Sequence, residues 1–77
     1  MKKTTLIHLK KDQKAKILEI SGGPALKHRM MSMGIYPGRE ITKLGHIALR
    51  GTVTIKVGRA HLALGHSMAA KIHIETE

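Results

Sequence analysis

The stretch that decides the fold of this chain runs from residue 26 to residue 41 and reads LKHRMMSMGIYPGREI. Leu26, Met30 and Met33 recur at i, i+4 and i+7, which is the spacing of one face of a short helix. Gly34 follows that face directly, and glycine readily takes the left-handed conformation in which many helices end. The stretch therefore predicts a short helix with an apolar face and a defined end.

A turn and a change of period come after the helix. The Pro37-Gly38 pair is typical of a type II turn, because proline suits the second position of that turn and glycine the third. Beyond the turn the sequence alternates, which places Ile41 and Lys43 on one face of a predicted strand. Gly45 is expected to end this strand.

The residues before the helix predict two strands separated by a lysine-rich turn. Residues 5–9 are apolar or β-branched and predict the first strand, and residues 15–20 predict the second. A Ser-Gly-Gly-Pro sequence then stops the second strand, since glycine and proline weaken a strand interior. Ser21 and Pro24 also suit a helix start, because proline has no N–H to leave unpaired in the first turn.

The residues after residue 50 predict more short strands. Val53, Ile55 and Val57 alternate with polar residues, as in a half-buried strand. The remaining predictions are a tight connection at 58–59, a strand at 61–64, a helical turn at 67–70 and a last strand at 71–76 with Ile72 and Ile74 inward.

The predicted fold class is mainly β, in one domain spanning residues 1–77. We expect a small, partly open β-barrel of five to six short strands, with one short helix inserted after the second strand. Short strands in so small a chain favour a barrel over a flat sheet, because closure hides strand edges.

Composition narrows the function classes. The chain has 77 residues, no cysteine, five acidic residues and a formal net charge of +9. The lack of cysteine excludes a disulfide scaffold, a thiolate zinc site and a cysteine nucleophile. Five carboxylates offer little material for the buried pairs of hydrolytic enzymes. No signal peptide is recognisable and no apolar run reaches 18 residues. We therefore expect a non-enzymatic intracellular binding module without a transmembrane segment, a catalytic residue or a cofactor.

Six histidines raise the question of a metal site. Ligands on one helix face stand four residues apart and ligands on one strand face two apart, and no two histidines have either spacing. The alternation places His61 and His73 toward solvent, so scattered surface imidazoles are the favoured interpretation and no metal ligand is assigned. Pairing of His61 with His73 across adjacent strands stays open, and with it a histidine-based metal sensor.

The excess of basic over acidic residues attracts polyanions, which include nucleic acid, an anionic membrane and an acidic protein face. Tyr36 is the only aromatic residue, so the chain offers no platform on which bases could stack. We expect Tyr36 to pack over Pro37 instead. Nucleic acid is thus not the expected partner, and a small barrel that binds RNA through its basic surface is the alternative function.

The order of these signals resembles the ferrous iron transport protein A (FeoA) family. The resemblance covers residues 9–75. Its segments are MGIYPG at 33–38, which matches best, VTIKVG at 53–58, LAL at 62–64 and AKI at 70–72. The chain departs from the family pattern at Lys11-Asp12, where Pro-Gly is common.

The resemblance implies an SH3-like barrel, which also occurs as the C-terminal domain of iron- and manganese-dependent repressors. The fold-defining motif that it implies comprises Leu26, Met30, Met33, Gly34, Pro37 and Gly38. It further implies a cytosolic accessory protein that binds the cytosolic GTPase part of the ferrous iron transporter of the bacterial inner membrane and modulates uptake. Such a protein would be peripheral to the membrane, recruited to its inner face, and steered by its basic residues toward an acidic surface. The exposed helix residues Lys27, His28 and Met31 are the first candidates for the contact.

Overall fold

The computed structural model describes residues 2–46 and 51–76. Within these residues the strands are β1 (Lys2–Thr5), β2 (Lys14–Ile20), β3 (Glu40–His46), β4 (Val53–Val57), β5 (Ala60–Leu64) and β6 (Ile72–Thr76). The helices are a 3₁₀ turn (Leu6–His8), α1 (Pro24–Ser32) and α2 (His66–Ala69). None of the helices in these ranges is long and apolar enough to cross a membrane.

The six described strands form one antiparallel sheet in the order β1-β6-β2-β3-β4-β5. The sheet curls around a single apolar core, and β1 and β5 are its two edges. The predicted mainly β architecture, with one helix inserted after the second strand, is confirmed.

Alternating side chains of the strands fill the core. Val53, Ile55 and Val57 are buried, and so are Ile72 and Ile74, as their period of two predicts. Burial of each of these branched side chains contributes about 1.5–3 kcal/mol of favourable free energy.

The first predicted strand is wrong in its position. β1 ends at Thr5, and residues 6–8 form a 3₁₀ turn instead of continuing to Leu9. The physical reason is that Leu6 and Leu9 are both buried. Two inward side chains three residues apart fit the three-residue period of a 3₁₀ turn, whereas a strand would send them to opposite faces.

The predicted end of β3 is also wrong. The strand continues through Gly45 to residue 46, and the register of its pairing with β4 shifts between Lys43 and Gly45. A glycine inside a strand often marks such a bulge and does not need to end pairing. The helical turn expected at residues 67–70 is present one residue earlier, as α2.

Candidate partner-binding groove

Helix α1 forms one wall of the candidate site, and local sequence places it. The helix begins with Gly23 at the N-cap and Pro24 at the first helical position, as the missing N–H of proline favours. Ser21 does not cap it: its hydroxyl lies 2.8 Å from Nε2 of His73, on β6. The start at Pro24 is confirmed, and Ser21 instead ties the end of β2 to its neighbouring strand.

The C-terminus of α1 is closed by a Schellman motif. The N–H of Gly34 donates to the carbonyl of Met31 at 3.0 Å, and the N–H of Ile35 donates to the carbonyl of Met30 at 2.9 Å. Gly34 has φ of +87°, so the predicted left-handed helix end is confirmed. Met30 and Ile35 are both fully buried, and their contact with the core orients the helix. Met31, one residue on, consequently points away from the core.

The turn after the helix forms the second wall. The N–H of Arg39 donates to the carbonyl of Tyr36 at 3.1 Å, and Gly38 has φ of +92°, which fits the predicted type II turn. Backbone bonds join this turn to β2: Gly38 donates to the carbonyl of Ile17 at 2.7 Å, and Ile17 donates to the carbonyl of Arg39 at 2.9 Å. The turn is therefore held against β2 at a fixed distance from α1.

Between these two walls and the second half of β2 lies a groove of about 420 Å³. Its lining residues are Leu18, Glu19, Ile20, Lys27, Met31, Ile35, Tyr36 and Pro37. Ile20 and Ile35 are buried and form its floor. Met31 is 56 % exposed, and it is the large hydrophobic side chain that the described part of the chain leaves most open to solvent. The groove thus combines a preformed apolar floor with an exposed, adaptable methionine, the kind of surface that binds a partner's side chain.

The charged side chains of the groove have opposite signs. Lys27 stands on α1 and Glu19 on β2, and both are exposed. These charges at the rim of the groove orient a bound partner more than they increase its affinity, because exposed ion pairs contribute little net free energy.

The sequence-predicted residues lie at different places around the groove. Lys27 and Met31 line the groove, whereas His28 is exposed on α1 outside the lining. Of the apolar face, Met30 is fully buried, and Leu26 and Met33 are half-buried against the core. The sequence analysis missed the β2 wall, which only the pairing of strands brings opposite the helix.

Tyr36 contacts Arg39, a partner that the sequence analysis did not name. Nη1 of Arg39 donates to the hydroxyl of Tyr36 at 3.0 Å, and Cζ of Arg39 lies 5.7 Å from the centre of the tyrosine ring. The sequence signal that could have predicted this contact is the spacing: Tyr36 and Arg39 stand three residues apart, at the two ends of a tight turn. The guanidinium lies over one face of the chain's one aromatic ring, so a nucleic-acid base would compete with Arg39 for that face.

The structure separates the two histidines whose pairing the sequence left open. Strands β5 and β6 are separated in the sheet by three others, so His61 and His73 are not on adjacent strands and the open pairing hypothesis is wrong. His73 is half-buried rather than fully turned to solvent, because its ring meets Ser21. Within residues 2–46 and 51–76, no group of three or more histidine and acidic side chains is arranged to hold a metal ion.

Lys43 is a buried cation that the sequence analysis placed correctly but did not single out. The alternation put it on the face of Ile41, and its side chain is only 4 % exposed. Its Nζ donates to the carbonyl of Ile7 at 2.9 Å, in the 3₁₀ turn. Burial lowers the pKa of Lys43 from its usual value of 10.5, because desolvation disfavours the ammonium form.

Six short antiparallel strands in one open sheet, with a helix inserted after β2, define the described part of the chain as a small domain of the SH3-like fold. The family model described as the FeoA domain matches residues 4–76. The chain belongs to the FeoA family. No curated protein sequence matches it.

Solved structures share this fold over nearly the whole chain. An iron uptake regulatory protein (FeoA) is 25 % identical with a TM-score of 0.87, and the match covers 97 % of each chain. A FeoA-like protein from Clostridium acetobutylicum is 25 % identical with a TM-score of 0.84, covering 99 % of this chain and 88 % of that one. A manganese-dependent transcriptional repressor is 18 % identical with a TM-score of 0.86, covering 97 % of this chain and 42 % of that one, and shows the fold alone. The SH3-like fold that the sequence resemblance implied is confirmed.

Proposed function

We propose that this protein is a cytosolic, non-enzymatic accessory protein of bacterial ferrous iron uptake. In this proposal it binds the cytosolic, GTP-hydrolysing part of the inner-membrane ferrous iron transporter and modulates its activity. Membership of the FeoA family supports the iron-uptake role. The observation that carries the binding role is the apolar groove beside the exposed side chain of Met31.

The groove suits binding for energetic reasons. An apolar anchor that fills a preformed pocket at the centre of an interface commonly supplies much of the binding free energy. The floor made by Ile20 and Ile35 is already in place and pays no ordering cost when a partner side chain enters. Met31 is flexible and polarisable, so its side chain can adapt to the surface that covers it. Lys27 and Glu19 then select the register in which the partner docks.

The net charge of +9 supports fast association with an acidic surface, because long-range attraction raises the encounter rate. RNA binding, the alternative, has the charge in its favour but offers a single aromatic ring, and Arg39 lies over one face of it.

Binding to the isolated cytosolic GTPase domain of the transporter tests the proposal, with titration calorimetry at low and at moderate salt. We expect Met31→Glu to weaken binding by about tenfold, equivalent to about 1.4 kcal/mol, because it places a charge where apolar surface is buried. Met31→Leu is the matched control and should bind within about threefold of the wild type, since it preserves volume and apolarity. The GTP hydrolysis rate of the domain, measured with and without the protein, reports modulation.

Two results would contradict different parts of the proposal. If the wild-type protein does not bind the domain at either salt concentration, the partner is wrong. If it binds and Met31→Glu binds equally well, the partner stands and the groove is not the contact.

A further inference from the structure

The two edges of the described sheet differ in how they are protected. β1 has four residues, of which Lys2 and Lys3 are exposed, and the chain then turns away into the 3₁₀ turn. β5 reads AHLAL, with no lysine and no proline, and it pairs with β4 over five consecutive residues without a register shift. Natural proteins commonly block edges with lysine, proline or bulges, because an open edge can add a further strand. β5 lacks all three.

The backbone of β5 presents hydrogen-bonding groups on its outer side. Among the described residues, β4 is the one strand that pairs with β5. A two-residue turn at 58–59 joins the strands, so the closing pair Val57–Ala60 exchanges backbone bonds and alternate pairs do likewise. The N–H and C=O groups of His61 and Ala63, which lie between those pairs, consequently point away from β4.

A row of four side chains, three of them basic, ends at this edge. The strand register places Lys14, Thr42, Lys56 and His61 side by side on the outer face of β2, β3, β4 and β5. We refer to these four residues as the basic row.

Arg39 adds a further cation beside the basic row, because a Cβ added to Gly58 would come within 2.6 Å of its Nη2. Lys14, Arg39 and Lys56 line a shallow cavity of about 310 Å³ in which Glu40 is the single acidic lining residue. The field next to β5 is therefore positive.

We propose that β5 is a docking edge for an acidic, extended segment of a partner protein, which adds to the sheet as a further strand. The backbone of the segment pairs with the outward groups of His61 and Ala63. Alternate carboxylates of the segment lie on the outer face, next to His61 and within reach of the long side chain of Lys56. The groove is not part of this site, since none of its lining residues belongs to β4 or β5.

The charges decide between possible occupants. A second copy of this chain would place two basic rows side by side, and like charges facing each other across strands are destabilising. RNA would find phosphate-binding cations, but the chain has one aromatic residue and Arg39 already lies over it. An acidic strand pairs with the outward backbone groups of β5, and its carboxylates are attracted by the positive field.

The probe for this site is a short labelled peptide of alternating glutamate and valine, with a lysine-valine peptide of equal length as its control. Fluorescence anisotropy at low salt measures binding to the full chain. We expect the acidic peptide to bind and the basic peptide not to bind. Amide hydrogen exchange of the unmodified protein should slow at His61 and Ala63 when the acidic peptide is present.

Substitutions separate the backbone contribution from the charge. Ala63→Pro removes an outward N–H without removing a bond to β4, and should weaken peptide binding by about tenfold or more. Ala63→Val keeps the N–H and should bind within about twofold of the wild type. Lys56→Glu should weaken binding by about fivefold or more. Lys71→Glu, beyond the opposite end of β2 from Lys14, is its matched control and should have a smaller effect.

Four outcomes would overturn this inference. The first is that the acidic peptide binds neither the wild type nor any variant at low salt. Ala63→Pro, shown to be folded by circular dichroism, would bind as tightly as the wild type. Binding of oligouridine that Lys56→Glu abolishes, in the absence of peptide binding, would assign the basic row to nucleic acid. Sedimentation of a dimer that Ala63→Pro dissociates would make a second copy the occupant.

Discussion

Met30 and Met31 are neighbours in the sequence with opposite environments, and truncating each to alanine isolates the effect of burial. Met30 is 0 % exposed in the core, whereas Met31 is 56 % exposed at the groove. Both lie in α1, and Met30→Ala and Met31→Ala remove the same atoms from the same helix. Any difference between the two variants therefore comes from the surroundings and not from helix propensity.

The structure sets the expected size of each effect. Met30→Ala loses the transfer free energy of a buried side chain and leaves a cavity, which together cost about 2–5 kcal/mol, with about 3 kcal/mol as the central value. A chain of 77 residues has a total stability of about 4–12 kcal/mol, so the loss is a large fraction of it. A loss of about 3 kcal/mol lowers Tm by about 12–24 °C in a domain of this size. Met31→Ala should change stability by no more than about 0.5 kcal/mol.

Urea denaturation followed by circular dichroism measures both variants. Met30→Leu is the control that keeps the core filled, and it should cost less than about 1.5 kcal/mol. Equal destabilisation by Met30→Ala and Met31→Ala would refute the assignment of the two side chains to core and groove. If Met30→Ala does not fold, unchanged stability of Met31→Ala supports the assignment, and loss of folding in both variants would refute it.

Two further predictions concern the buried lysine and the turn after the helix. The lowered pKa of Lys43 means that the unfolded chain binds more protons than the folded chain between the folded pKa and 10.5, so stability should rise with pH in that window. Lys43→Met should remove this rise, and denaturation curves recorded from neutral to alkaline pH check it; an unchanged slope would count against the burial of the ammonium group. Gly38→Ala should cost about 1–2 kcal/mol because of its φ of +92°, although nothing lies within 4 Å of an added Cβ. Gly45→Ala is its matched control, since Gly45 also has open space and does not have a positive φ, and equal thermal shifts of the two variants would show that backbone strain is not the cause.

The helix and the turn were predicted from the backbone preferences of single residues. The start of α1 at Pro24, its end at Gly34 and the turn at Gly38 each depend on the conformational preference of a single residue, and all three are confirmed. The strands with a clear period of two were also predicted, because alternation reports directly which face is buried.

Competition between local and tertiary preferences explains the errors. Residues 5–9 have the composition of a strand, yet burial of Leu6 and Leu9 imposes a 3₁₀ turn. Gly45 looks like a strand end, yet pairing with β4 carries the strand past it through a bulge. At Asp12, where the family often has glycine, φ is +67°, which aspartate tolerates better than most residues.

The sequence by itself determined the mainly β class, the position of the helix and the burial of Met30. Its proposed contact residues Lys27 and Met31 line the groove, and their role in binding stays a prediction. The class, the helix position and the burial follow from period and from residue-specific backbone preferences, which are local properties. Only the tertiary structure decided that the end of β2 lies opposite α1 to make a groove, and that β5 is an unprotected edge next to a basic row. Sheet order sets both, and it depends on contacts between residues far apart in the chain, which no local pattern encodes.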